Sequence, residues 1–195
     1  MSKFVREVLI TALAITGLFA ARSSLADHYV VPSSSMETAL APGDHVFVDK
    51  LAYGLRVPFT LHALTAGARP ARGDVVIFDS PEDGTRLIKR VVAVAGDVLE
   101  VRGGHVVIDG VPAPSPRGPR SEALGTHTYA LNLESGGGPD FGPVTVPTGH
   151  VFALGDFRGN SRDSRWFGFV REDAIYGKAE SVFYRADRGF AWLPL

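Results

Sequence analysis

The chain contains no cysteine. Disulfides, a cysteine nucleophile and thiolate metal sites are therefore excluded, although no compartment follows from that absence. A basic excess is also lacking, since 20 lysines and arginines face 21 aspartates and glutamates for a formal net charge of -1. Nucleic-acid binding, which leaves a cationic footprint, is not expected. Heptads, internal repeats and long amphipathic helices are missing, and the six histidines are scattered. No metal or cofactor is expected. What the chain does have is turn-forming residues, 22 glycines and 13 prolines beside 45% hydrophobic residues. That composition predicts many turns between short strands. Beyond about residue 26 the chain is of ordinary single-domain size, large enough for a substantial core.

The N-terminal end opens with Lys3, Arg6 and Glu7, followed by an uninterrupted apolar run from Val8 to Ala21. Two readings stand side by side. As a cleavable signal peptide it has a basic start, an apolar centre and the small-x-Ala ending Ser24-Leu25-Ala26, and pattern alone slightly favours this reading. As a membrane anchor over 8–26 it is short, but Phe4-Val5 and snorkelling by Arg6 and Arg22 lengthen it. Either way Lys3 and Arg6 bias residues 1–7 toward the cytoplasm, and residues 27–195 are expected outside it.

Downstream the pattern turns β-like. His45–Asp49 is a short strand after the Pro42-Gly43-Asp44 turn, and residues 54–72 read as a loop. Asp74–Phe78 is a continuous apolar run, the pattern of a strand buried on both faces. Arg86–Ala95 is another strand, and Val98–Val101 and His105–Ile108 form a hairpin about a glycine-rich turn. Residues 112–143, rich in Pro, Gly and Ser, read as an irregular insertion. Strands resume at Val144–Val146 and His150–Leu154, and Ile175–Phe183 completes the sheet. Between them lies Gly155–Arg165, dense in polar side chains beside apolar strands. Such groups bond one another, and their network can orient a catalytic side chain.

Two stretches suggest chemistry. One is Val31–Leu40, with Ser33, Ser34 and Ser35 in a row; the other is Arg86–Arg90, where Lys89 follows Leu87 and Ile88. A serine hydroxyl needs a neighbouring base, and a lysine amine serves only when burial lowers its pKa. The two stretches are expected to meet, making Ser35 and Lys89 a catalytic dyad. The structural alternatives are a solvated Lys89-Arg90 pair on a strand edge and a capping box of Ser34 with Glu37. That box would open a short helix stopped by Pro42-Gly43, with backbone N–H groups aimed at the nucleophile.

Taken together, these stretches resemble the type I bacterial signal peptidases. Pro32–Met36 is similar to the family's P-S-x-S-M nucleophile box, and Lys50–Gly54 to its second box. Arg72–Val76 through Lys89-Arg90 to Gly96-Asp97 resembles the lysine box, and Gly155–Arg165 the last box. Two departures stand out: Met36–Leu40 lacks the usual proline, and Phe157 replaces the usual asparagine. The resemblance implies a mainly β, antiparallel catalytic domain behind one N-terminal transmembrane helix. It implies Ser35 as nucleophile, Lys89 as general base, and the Ser33 hydroxyl with the Ser35 N–H as oxyanion hole. Ser161 would orient the Lys89 amine, with Asp163 and Arg165 bracing it. Met36 would lie beside the nucleophile at the membrane-facing edge, and Leu40, Leu87 and Ile88 would line pockets for small side chains. The implied partners are preprotein signal peptides, cut after small-x-small sequences, and membrane lipid at the bacterial plasma membrane. A dedicated peptidase of pilin or conjugation systems is the nearest alternative, and an exported β-rich binding module the more distant one.

Overall fold

Short apolar runs punctuated by glycine and proline fold here into strands, and the polar, glycine-dense segments become their connections. The protein is described by a computed structural model covering residues 2–57, 60, 62, 64, 65 and 67–195. Of residues 18–24 only the backbone is described, so the expected snorkelling of the Arg22 side chain lies outside the described residues. Positions 58, 59, 61, 63 and 66 of the loop expected over 54–72 lie outside them too. The described residues of that loop form no named strand.

The first helix, α1, covers Lys3–Ser24, about 33 Å at 1.5 Å per residue. It begins before the expected 8–26 segment and takes in Lys3, Arg6 and Glu7, while Ala26 already belongs to a strand. Among the described residues no helix is long and apolar enough to cross a membrane. The strands follow as β1 (Ala26–Val30), β2 (His45–Asp49), β3 (Val75–Asp79), β4 (Arg86–Val94), β5 (Val98–Arg102), β6 (His105–Ile108) and β7 (Val111–Pro112). Then come β8 (Ser121–Leu124), β9 (His127–Ala130), β10 (Phe141–Thr145), β11 (His150–Leu154), the one-turn helix α2 (Ser164–Phe167), β12 (Val170–Arg171), β13 (Ile175–Arg185) and β14 (Gly189–Pro194). The fold is mainly β, and every named strand pair is antiparallel.

The main sheet runs β1-β2-β13-β3-β4-β11-β12, with β14 paired to the end of β13. β3 explains why a continuous apolar run suits its centre. Val75 and Ile77 pack with Met36, Leu40, Val46 and Val48 on one face, while Val76 and Phe78 pack with Val91, Val151 and Ile175 on the other. β2, half-buried on one side, alternates instead. A second sheet, β10-β5-β6-β7, and the β8–β9 hairpin share a further core around Leu99, Val101, Leu131, Phe152 and Leu154.

That hairpin corrects the expectation of an irregular stretch over 112–143. Ser121, Leu124, Tyr129 and Leu131 are buried there, and four apolar or satisfied side chains suffice to hold a short ladder despite the surrounding glycines. The short helix expected after Ser35 is also absent. Ser34–Met36 makes a single 3-10 turn, its N-cap Ser33 gives no side-chain cap, and Glu37 is already extended. The Ser34 hydroxyl that a capping box requires instead accepts from Asn160 Nδ2 at 3.1 Å.

One feature of the sheet matters most for the site. β11 pairs with β4 only over Arg90–Val94, so Arg86–Lys89 have no named strand on that edge.

Candidate active site

Period-two alternation along β4 sends neighbouring cations to opposite environments. Lys89 lies opposite Val76 of β3 and is 3% exposed, which excludes the solvated strand-edge pair. Its Nζ lies 2.6 Å from Ser35 Oγ. Ser35 is itself 8% exposed, at the centre of the 3-10 turn, and Ser33 Oγ donates to Ser35 Oγ at 3.3 Å. Fifty-four residues of chain therefore close to place an amine, a hydroxyl and a second hydroxyl within hydrogen-bond reach.

Burial lowers the Lys89 pKa from 10.5 to about 8, because the ammonium form loses its hydration. Asp163 and Asp156 oppose that shift and Arg165 adds to it. Neither carboxylate bonds the lysine. Asp163 instead accepts from Arg165 Nε and Nη2 at 2.8 Å each and from the Gly155 N–H at 3.1 Å. Asp156 accepts from Arg90 Nε at 2.9 Å and Nη2 at 2.8 Å. A lysine with no carboxylate of its own, beside carboxylates already paired, can be neutral near mildly alkaline pH.

The Gly155–Arg165 loop is tied to the serine turn at two points. The Phe157 N–H donates to the Ser35 carbonyl at 3.1 Å, and Asn160 reaches Ser34. Gly155 has to be glycine, since a Cβ there would fall 2.4 Å from the Ser35 carbonyl oxygen and 2.3 Å from Ser161 Oγ. Arg165 braces the loop from outside through Nη1 to the Gly137 carbonyl at 2.7 Å and Nη2 to the Arg158 carbonyl at 2.6 Å. Ser161 differs from expectation. Its hydroxyl is buried beside Gly155 and makes no hydrogen bond, so the bond to Lys89 is not formed in this structure. Lys89 Nζ is turned toward Ser35 instead.

A cleft of about 150 Å³ adjoins the dyad, with Val30, Val31 and Pro32 on one wall, Leu87 and Ile88 on the other, and Val46 and Ile77 beneath. Leu87 and Ile88 thus stand where the pocket expectation put them. Leu40 does not, and Met36, expected beside the nucleophile at an edge facing the membrane, is like Leu40 fully buried in the core beneath the serine turn. Their apolar side chains hold the turn down and leave the lining to the β1–Pro32 segment.

Several residues of this frame had no single-residue signal. Arg158 is fully buried, donating to the Gly155 carbonyl at 3.1 Å and to Glu122 at 2.7 Å. Burial alone would raise the Glu122 carboxyl, but the Arg158 charge and donors from Arg158, the Val106 N–H and Tyr129 hold it below the ordinary range. Arg90 stacks on the Tyr129 ring with 4.1 Å from guanidinium carbon to centroid. The polar density of 155–165 pointed to Asp156 and Arg158. Nothing in the sequence near Glu122 marked it as their partner.

Comparison with known proteins identifies the family of the chain. The family model described as "Signal peptidase, peptidase S26" matches residues 1–184. The signal peptidase I of Pseudomonas fluorescens is 34% identical over 188 residues, covering 83% of this chain and 66% of that protein. The chain thus spans about two thirds of the length of that relative. A signal peptidase I P of Bacillus subtilis subsp. natto is 29% identical over 186 residues, covering 95% of this chain and 90% of that protein. A probable signal peptidase I-1 of Synechocystis is 32% identical over 197 residues, covering 95% and 86%. Matched over nearly its whole length, the chain belongs to the peptidase S26 family of signal peptidases.

Proposed function

We propose that this chain is a membrane-held serine endopeptidase that removes signal peptides from exported preproteins by a Ser35/Lys89 dyad. The observation that carries the reading is the 2.6 Å approach of a buried lysine, its pKa lowered to about 8, to a serine hydroxyl. The neutral Lys89 amine takes the Ser35 proton as Oγ attacks the scissile carbonyl. The resulting oxyanion is met by the Ser35 backbone N–H, in the first turn where no carbonyl of that turn reaches it, and by the Ser33 hydroxyl. The ammonium of Lys89 then protonates the departing amine. In its neutral form again, it activates the water that hydrolyses the acyl-enzyme. Ser161 stands as a positioning residue, and Asp163 with Arg165 holds the loop that carries it.

The precursor lies as an added strand along the free edge of Arg86–Ile88, facing Val30–Pro32. A cleft of about 150 Å³ between aliphatic walls suits alanine-sized side chains, which is the physical basis for small-x-small preference. α1 ties the chain to the bacterial plasma membrane, and residues 27–195 form the peptidase domain. Phe4, Val8, Leu9, Ile10 and Leu13 are exposed along it, apolar surface that the fold leaves uncovered.

The test is hydrolysis of a preprotein with an Ala-x-Ala site by the full chain in detergent. Ser35→Ala, Lys89→Ala and Lys89→Arg should each abolish cleavage with the fold intact, since members of a dyad act as a unit and guanidinium is no base near neutral pH. Substantial turnover by a folded Lys89→Ala protein would remove lysine from the mechanism. Detergent-dependent extraction of the full chain, set against free solubility of residues 27–195, tests the role of α1.

A further inference from the structure

The cleft beside the dyad is aliphatic along its length and cationic at one end. There the Arg86 guanidinium carbon lies 4.7 Å from the ring centroid of Tyr29 and 5.7 Å from that of Tyr176. Arg86 Nε donates to Tyr176 Oη at 2.6 Å, and the same hydroxyl donates to Asp79 at 3.0 Å. Tyr29 and Arg86 both line the cleft, the first from β1 and the second from β4, so their contact joins its two walls. Near two rings and bonded through Nε to one of them, the guanidinium has less rotational freedom left to lose on meeting a ligand. Among the described residues one of its five donors is engaged by a side chain. Asp79 is its opposite neighbour in the ladder but meets it through Tyr176, and among the described residues no carboxylate lies within ion-pair distance of Arg86. Arg86 is exposed, so its Nη groups are positively charged and accessible to an acceptor.

We propose, resting on the reading of this cleft as the precursor's path, that Arg86 is a specificity residue that binds a carboxylate side chain upstream of the cut. The direction follows from the cleft. Its small-residue section, Val31 with Leu87 and Ile88, lies between Lys89 and Arg86, and the small residues of the substrate precede the scissile bond. The precursor therefore runs parallel to β4, with its upstream part toward Arg86. Three residue steps of extended strand separate Arg86 from Lys89, roughly 10 Å at 3.3 Å each. That spacing brings the fourth residue before the cut to the guanidinium. The enzyme then favours precursors with Asp or Glu at that place and disfavours Lys or Arg.

The experiment uses the full chain in detergent with a peptide series containing one Ala-x-Ala site and Glu, Ala or Lys as the fourth residue before the cut. For the wild type, kcat/KM should fall in the order Glu, Ala, Lys, each step about two- to fivefold, the scale of one exposed ion pair. The difference should sit in KM, shrink with added salt, and leave kcat nearly constant across the series. Arg86→Glu should reverse the order, and Arg86→Ala should flatten it. If Arg86 served only to brace Tyr29 and Tyr176, its variants would slow all three peptides alike and keep their order, which would overturn the proposal. Moving the Glu to the second residue after the cut should remove the preference; a stronger preference there would overturn the assigned direction. Cleavage of all three peptides with no charge preference sinks this inference alone, whereas cleavage of none sinks the peptidase reading beneath it.

Discussion

Replacing Lys89 with methionine should stabilise the protein, and the gain should depend on pH in a way that reports the amine directly. In the unfolded chain the lysine titrates near its reference value of 10.5, and in the folded chain at about 8. Between those values the unfolded state binds a proton that the folded state refuses, so wild-type stability rises with pH through that window. Below about 8 both states are protonated and the penalty is constant. The gap, at roughly 1.4 kcal/mol per pH unit, amounts to roughly 3 kcal/mol. Methionine has nearly the same reach and no charge to desolvate. Against the gain stands loss of the contact with Ser35, about 1 kcal/mol. A net advantage of roughly 2 kcal/mol at pH 7 corresponds to about 4–8 °C in Tm for a domain of this size. The assay is denaturation of both proteins at intervals from pH 6 to 10.5. The curves should converge as pH passes from about 8 to 10.5. A difference that stays constant with pH, or favours the wild type at pH 7, would refute a buried and deprotonation-prone lysine.

Two further outcomes belong to catalysis. The kcat/KM profile should climb from acid pH with an ascending limb near 8, because the protonated amine below that value cannot accept the serine proton; a limb near 6.5 that vanishes in His28→Gln would assign the base to histidine, although His28 stacks on His45 at 6.2 Å in the β1–β2 ladder. Ser33→Ala should lower kcat by roughly two to three orders of magnitude with little change in KM, and Ser33→Thr should retain much more; equal rates for wild type and Ser33→Ala would take its hydroxyl out of the oxyanion hole.

The parts of this protein legible in its sequence are those where local pattern and global role coincide. β3 could be read because its apolar run faces a core on both sides, and β4 because Leu87 to Ala95 is apolar but for two cations. The meeting of Ser35 with Lys89 was an expectation from chemistry, each being inert without the other, together with the family resemblance. β1 and β14 went unread: Ala26–Val30 alternates too weakly, and Gly189–Pro194 leaves Phe190 and Trp192 exposed. The serine turn failed for a different reason. A capping box is a local rule, and Asn160, 126 residues away, took the hydroxyl it needed. Ser161 shows the same limit, because a hydroxyl's partner is decided by tertiary placement and not by neighbours in sequence.

Lys89 and Arg90 stand next to each other and do opposite work, and the reason is the pleat. Successive side chains on a strand leave on opposite faces, so Lys89 meets the serine turn while Arg90 enters a pocket of Asp156, the Gly73 carbonyl and the Tyr129 ring. A slip of β4 by one residue would exchange them and put a guanidinium, which cannot act as a base, against Ser35. Three buried pairs oppose that slip: Arg90 with Asp156, Arg158 with Glu122, and Arg165 with Asp163. Apolar replacements of equal volume would hold the core as well or better, since desolvation offsets most of what a buried pair gains. What apolar residues would not supply is register. Each carboxylate accepts at two oxygens from one guanidinium in a fixed plane, and Arg158 and Arg165 extend that geometry to the carbonyls of Gly155, Gly137 and residue 158 itself. The pairs also engage Asp156 and Asp163, the two carboxylates whose charge reaches Lys89, so that neither of them holds the lysine in its protonated form.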